Sequence, residues 1–198
     1  MKIDQGKGSM KKDISNLGMN LSARRLNRIL SILFSEMKDL SDEDRDLPIR
    51  WNVIHMYTSS QIAKILALKR GIDPELAGIA AALHDIGVVK TKRHKNHAEA
   101  AERYVYEIIE SYNSKHRGDL PQITKEEAEL IVNAIVQHSQ KEIISDNPFV
   151  EILKDVDSLD RYLHGVKTEG THRERCIKVL KELGIEENLI NRTKKVSY

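Results

Sequence analysis

The chain has 198 residues, 40% hydrophobic and 31% charged, with a formal net charge of +2. That length suits one domain that buries its own core without a disulfide or structural metal. The small net charge gives no case for a nucleic-acid partner, and no apolar run reaches the roughly 20 residues that span a bilayer. Cys176 is the single cysteine, so no disulfide framework is expected, and a reducing, cytoplasmic compartment is.

Residues 1–20 show no sustained periodicity and read as a flexible leader, with Gly6-Lys7-Gly8-Ser9-Met10 resembling an expression scar. Residues 21–198 read as one helical domain. A first helix is expected from Ser22 to about Met37, with Leu26, Ile29, Leu30, Leu33 and Phe34 as its apolar stripe. An acidic loop, Ser41 to Asp46, leads through Pro48 to a second helix, about Arg50 to Arg70, which Gly71 ends. Asp73 as N-cap and Pro74 as first helical residue open a third helix through Ala80 to His84, and Gly87 lets it stop just past the His84-Asp85 pair.

Lys90 to Lys95 reads as a basic loop. A fourth helix starts near Asn96 and turns Ala101, Tyr104, Val105, Ile108 and Ile109 inward, and residues 113–123 form a polar connection. Thr124 with Glu127 is a capping box for a fifth helix reaching His138. Asn147-Pro148 opens a sixth, which carries Asp155, Asp157 and Asp160 and stops at Gly165. Thr171 with Glu174 is a second capping box for a seventh helix ending at Gly184, and a short amphipathic helix and a Lys-rich tail follow. No segment reads as a strand, so the fold class is all-α, a helical bundle with short connections.

The chemistry lies in imidazoles and carboxylates on segments that should be buried. His55 sits mid-way along the second helix among Val53, Ile54 and Tyr57, a stretch expected to face the core. His84 and Asp85 end an Ala-rich helix, His97 opens the fourth, His138 closes the fifth, and Asp157 lies on an apolar turn of the sixth. Any one of these has a bland reading as a hydrogen-bonded core residue or a solvated charge. Burying several together is expensive unless a cation compensates them, and neutral imidazole with carboxylate is what transition-metal sites use. Adjacent helical residues point about 100° apart, so His84 and Asp85 share a site only if the helix ends there, and Asp85 can then bridge two metals.

His55, the run Leu83-His84-Asp85-Ile86-Gly87, His97, His138 and Val156-Asp157-Ser158-Leu159-Asp160 together resemble the HD-domain superfamily of metal-dependent phosphohydrolases. The resemblance covers about residues 50–165, with the helices before and after as elaboration, and implies a bundle of five core helices around the metal. By position it implies His55, His84, Asp85 and Asp157 as shared metal ligands, with His97 and His138 as the further histidines of binuclear members. His94 is a rival to His97; Asp155 and Asp160 are expected to support the last ligand or contact substrate; His116, His164 and His172 read as surface, with His164 within reach of a substrate.

The implied activity is hydrolysis of a nucleotide or other small phosphoester by a metal-activated water, with one or two divalent ions among Fe, Mn, Zn, Co, Ni and Mg. Asp85, His97 and His138 are the expected catalytic groups, the histidines as candidate acids for the leaving group. Lys90 and Arg93 in the basic loop, and Arg161 one turn beyond Asp157, are the expected phosphate contacts. A di-iron oxygenase of the same superfamily and a non-catalytic metal- and nucleotide-binding module are the alternatives. The amphipathic terminal helices leave a homo-oligomer open.

Overall fold

Helical periodicity dominates the chain, and the computed structural model, which describes residues 23–185, contains no strand among them. Its helices are α1 (Arg24–Met37), α2 (Ile49–Arg70), α3 (Pro74–Leu83), α4 (Ile86–Thr91), α5 (His97–Ser111), α6 (Lys125–Gln137), α7 (Pro148–Leu163) and α8 (Gly170–Glu182). None is long and apolar enough to cross a membrane. The expected leader and the final amphipathic helix lie outside the described residues.

Local signals account for most boundaries. Gly71 closes α2 in the left-handed region at φ 69°. Asp73 caps α3 by accepting from the amides of Glu75 and Leu76, with Pro74 behind it. The Thr124–Glu127 capping box forms at α6, and Asn147 caps α7 through the Phe149 amide.

Three expectations are corrected. Gly87 does not end the third helix: the chain breaks at Asp85 (φ −99°, ψ 13°) and restarts as the short α4, which takes Lys90 out of the basic loop. Residues 112–116, at the start of the expected polar connection, form a π-helical turn continuing α5. The second capping box is absent. The α8 helix begins at Gly170 with Glu169 as N-cap, so Thr171 sits inside the first turn, where its hydroxyl cannot cap.

The Ala-rich α3 is the centre of the bundle and packs against α1, α2, α6 and α7. Small side chains permit that approach: a Cβ on Gly78 would come within 2.8 Å of Leu26 Cδ2. Long-range ion pairs tie the outer layers to this centre. Arg25 of α1 pairs with Glu75 of α3 at 2.7 Å and Glu127 of α6 at 2.9 Å. Glu75 also accepts from the Arg25 amide, which serves α1 where Ala23 offers no capping side chain. At the other end, Asp155 of α7 accepts from Arg70 of α2 and Arg175 of α8, each at 2.7 Å.

The α2 helix buries a mixed face, with Met56, Ala63, Leu66 and Ala67 in the core beside polar side chains. It buries Asn52, His55, Ser59 and Ser60 while Ile54, Tyr57 and Ile65 are exposed, so the expectation that Ile54 and Tyr57 face the core with His55 does not hold.

Candidate metal centre

Four helices and one helix break bring the six side chains together. His55 comes from α2, His84 and Asp85 from the break between α3 and α4, His97 from the first residue of α5, His138 from the end of α6, and Asp157 from α7. The break solves the 100° problem of neighbouring helical residues: after Asp85 the backbone changes direction, so His84 and Asp85 address one space. His55, His84 and His138 are sealed from solvent, at 0%, 0% and 1% exposure, whereas Asp157 and His97 each keep 7%. The cluster therefore opens on the side of Asp157 and His97.

Protons fix which nitrogens are available. His55 Nδ1 donates to Asp160 Oδ2 at 2.5 Å, and the Nδ1 atoms of His84, His97 and His138 donate to the carbonyls of Ala81, His94 and Ile135 at 2.7, 2.7 and 2.6 Å. Nε2 is therefore the nitrogen that each ring turns into the cluster. His55 Nε2 and His84 Nε2 stand 3.1 Å apart, as do His97 Nε2 and His138 Nε2. Nitrogens this close need a proton or a metal ion between them.

The carboxylates complete two half-sites. Asp85 Oδ2 is 3.6 Å from Nε2 of both His55 and His84, while its Oδ1 is 3.1 Å from His97 Nε2 and 3.7 Å from His138 Nε2. Asp157 Oδ1 joins the first half, 3.2 Å from His55 Nε2 and 3.9 Å from His84 Nε2. His55, His84 and Asp85 form one group that suits a metal ion, and Asp85, His97 and His138 form another, with ligand atoms in each within 4.8 Å of one another. Asp85 is shared between them. The donor set, neutral imidazole nitrogens with hard carboxylate oxygens, fits one or two divalent ions.

The electrostatics pull the same way. Burial alone would raise Asp85 and Asp157, yet both carboxyls lie well below their usual range. The charge of His84 and a hydrogen bond to His97 outweigh burial at Asp85, and the Lys141 charge and a hydrogen bond to His55 do so at Asp157. Burial opposes a charge on His55, but hydrogen bonds to Asp157 and Asp160 push it up to about 10. Burial, then His84 and Lys141, hold His138 well below the ordinary imidazole value. The buried carboxylates favour positive charge within the cluster, from a proton on His55 or from a bound cation.

Supporting groups surround it. Asp160 orients His55, as expected of a neighbour to the last ligand. Asp155 does not support the site: it is two residues from Asp157, about 200° around the helix, and serves the ion network of Arg70 and Arg175. Lys141 escaped the sequence reading. It is 2% exposed and donates to Asp157 Oδ2 at 2.6 Å and to the His138 carbonyl at 2.5 Å. A lysine four residues past the end of α6 carries no periodic signal that would have found it. Trp51 stacks on His55 with ring centroids 5.4 Å apart and closes the wall.

The expected phosphate contacts divide. Lys90 sits on α4 with its ammonium 2.6 Å from Glu36, and Arg93 is held by Asp44 at 3.0 Å and Asp46 at 3.6 Å. Arg161 makes no ion pair or side-chain hydrogen bond among the described residues. His94 stacks on His97 rather than replacing it, with centroids 4.6 Å apart. His116 is exposed, His164 is within hydrogen-bonding distance of Thr58, and His172 is half-buried with Nδ1 3.1 Å from Ser158 Oγ.

Comparison with known proteins gives one family: the model described as HD domain matches residues 52–162. No curated protein and no solved structure matches the chain.

Proposed function

Because this chain belongs to the HD-domain family, we propose that it is a metal-dependent phosphohydrolase acting on a nucleotide or another small phosphoester. The observation that carries this reading is the double half-site: four Nε2 atoms and two carboxylates converge, and Asp85 offers one oxygen to each half. His55, His84, Asp85 and Asp157 would hold one ion, and Asp85, His97 and His138 a second. A divalent metal bound there supplies acidification of water near pH 7 and polarisation of a phosphoryl oxygen.

The protein's own groups do the rest. His97 and His138 have their Nδ1 protons committed to carbonyls and their Nε2 atoms turned on each other, so they serve as ligands, and a leaving-group proton comes from water at the open side. Asp160 and the three carbonyls hold the imidazoles in one tautomer, which spares reorganisation on binding. Trp51 and the buried α2 face exclude water from the back of the site. Arg161 would be the phosphate contact, since its guanidinium has no partner among the described residues and it lies one turn from Asp157.

The test is phosphate release from a panel of mononucleotides and simple phosphoesters, with metal content measured on the same preparation. A chelator-sensitive rate restored by Mn, Co or Ni supports hydrolysis; no release with any metal overturns it. The intact six-ligand set also favours a second reading, a di-iron oxygenase. Bound iron with substrate-dependent oxygen uptake, and no phosphate release, would put that reading in its place.

A further inference from the structure

A second group of unneutralised charges lies between α1 and the loop that follows the π-helical turn of residues 112–116. A cleft of about 470 Å³ is lined there by Arg24, Asn27, Arg28 and Ser31 on one wall and by residues 117–120 on the other. Residues 24, 27, 28 and 31 recur at helical spacing, so they form one outward ridge of α1, with Leu26, Ile29 and Leu33 buried behind it. None of the six side chains of the metal centre lines this cleft.

The charge on the two walls is one-sided. Arg24 and Arg28 are exposed, and neither guanidinium meets a carboxylate among the described residues. Arg25 beside them shows the contrast, since Glu75 and Glu127 both pair with it. Across the cleft, Arg117 is half-buried and bonds only to carbonyls. Its Nε donates to Asn113 at 3.2 Å, and its Nη1 to Gly118 at 3.3 Å and Leu120 at 2.9 Å. Carbonyls orient a guanidinium without neutralising it, and Nη2 is left over. Asp119 also lines the cleft but pairs with none of the three.

This arrangement is held in place, and it is costly. Tyr112 donates to the Pro121 carbonyl at 2.9 Å, and the Asn113 side chain exchanges two bonds of 2.9 Å with the Ile123 backbone. The turn and its loop are thereby fixed, and Arg117 with them; π-helical turns are frequent at functional sites. The first turn of α1 has no acidic residue and no capping side chain, so Arg24 faces the positive end of the helix dipole. Arg24 and Arg28 also stand four residues apart, a spacing at which like charges repel. An anion in the cleft relieves both costs. We propose that this cleft is a second ligand site, which binds an anion built of linked phosphate groups.

The placing of the donors chooses that class. Bidentate guanidiniums at Arg24 and Arg28 take two oxygens each, about 6 Å apart along α1, and Arg117 adds Nη2 from the opposite wall. A single phosphate is too compact to serve both forks and the far wall, whereas a diphosphate or triphosphate chain spans them. The volume suits such a chain with or without a nucleoside. A nucleic-acid strand is the poorer occupant, because a net charge of +2 gives it little general attraction. The inference is independent of the phosphohydrolase reading.

The experiment is calorimetric titration of the full chain with tripolyphosphate, ATP, inorganic phosphate and a single-stranded oligonucleotide. The double variant Arg24→Gln/Arg28→Gln should weaken tripolyphosphate binding by about 10-fold or more, and Arg117→Ala by about 3-fold or more. Both altered side chains of the double variant are exposed, so its helicity and metal content should match wild type. The double variant Arg103→Gln/Lys167→Gln removes the same charge from other surfaces and should bind like wild type. Asp85→Ala, which disrupts the metal centre, should keep tripolyphosphate affinity within about twofold. Equal affinity for ATP and tripolyphosphate supports recognition of the chain alone, and tighter ATP binding supports a nucleotide as its source. Inorganic phosphate binding as tightly as tripolyphosphate, or preference for the oligonucleotide, overturns the ligand class. An arginine double variant within about twofold of wild type, or an equal loss in the charge control, overturns the site. Loss in Asp85→Ala with no change in the arginine variants places the anion at the metal centre and likewise overturns it, leaving the hydrolase reading untouched.

Discussion

Hydrogen-bond direction at single residues decides what the cluster can hold. Four Nδ1 protons are pinned by acceptors, so the donor atoms are chosen before any ligand arrives. Asp85 touches both halves of the cluster and His138 only one, and the two should differ on substitution. Asp85→Ala is expected to abolish metal retention altogether, whereas His138→Ala should keep the ion held by His55, His84 and Asp157, with elemental analysis of the purified variants as the check. Equal retention in the two variants would contradict a bridging carboxylate. The carboxylates of α7 provide a second contrast. Asp160→Ala should cost about 10-fold to 100-fold in metal affinity, because His55 loses the group that orients it, with a minor effect on stability. Asp155→Ala should do the opposite, destabilising by about 1–3 kcal/mol in urea denaturation because Arg70 and Arg175 lose a shared buried partner but keep Glu182 and Glu151, while metal affinity stays near wild type.

Among the elements, the short α4 is the one whose placement matters most for the site. It runs so close to the start of α5 that a Cβ on Gly87 would overlap the His97 carbonyl and stand 3.1 Å from the Ala101 amide. The His97 backbone is thus positioned by the absence of a side chain opposite it. Gly87→Ala is expected to destabilise the fold by about 1–3 kcal/mol and to impair the half-site of His97 and His138 ahead of the other. Thermal denaturation with metal stoichiometry tests this; full occupancy of two ions in a destabilised variant would separate the clash from the site. The motif residues were legible in the sequence because their types and order are distinctive, but the role of Gly87 was not. A glycine after a helical run signals a stop when only local structure is considered; here the requirement comes from a neighbouring helix.

For the molecule as a whole, α8 is the layer that closes the bundle behind α7, and Cys176 reports on it. The thiol is 1% exposed and donates to the Ser158 carbonyl at 3.1 Å. Burial, with the nearby Asp157 charge, pushes it up from 9.0 to about 11. A raised thiol keeps its proton in the folded state while the unfolded chain releases it. Its contribution to stability is therefore complete below pH 9 and is lost as pH rises from 9 to about 11, at about 1.4 kcal/mol per pH unit. Urea midpoints for wild type should fall more steeply between pH 8.5 and 10.5, each about half a unit inside or below that window, than those of Cys176→Ala. Parallel pH profiles would contradict this assignment. A thiol reagent at pH 8 should likewise modify Cys176 only on unfolding.

Sequence alone determined the all-helical class, most helix limits and the identity of the clustered imidazoles and carboxylates. Capping, glycine stops and apolar periodicity act over four residues or fewer, so they are written locally, as at Asp73, Gly71 and Thr124. The second capping box failed because Thr171 depends on where α8 docks, and α2 could not be oriented because the polar face of His55 and Ser59 faces inward against its apolar neighbours. Only the tertiary structure decided which nitrogen of each histidine is free, that Lys141 reaches Asp157, and that Lys90 and Arg93 are occupied by Glu36, Asp44 and Asp46. These depend on partners such as His55 and Asp160, 105 positions apart, whose distance in space is set by helix packing rather than by any property of the residues between them.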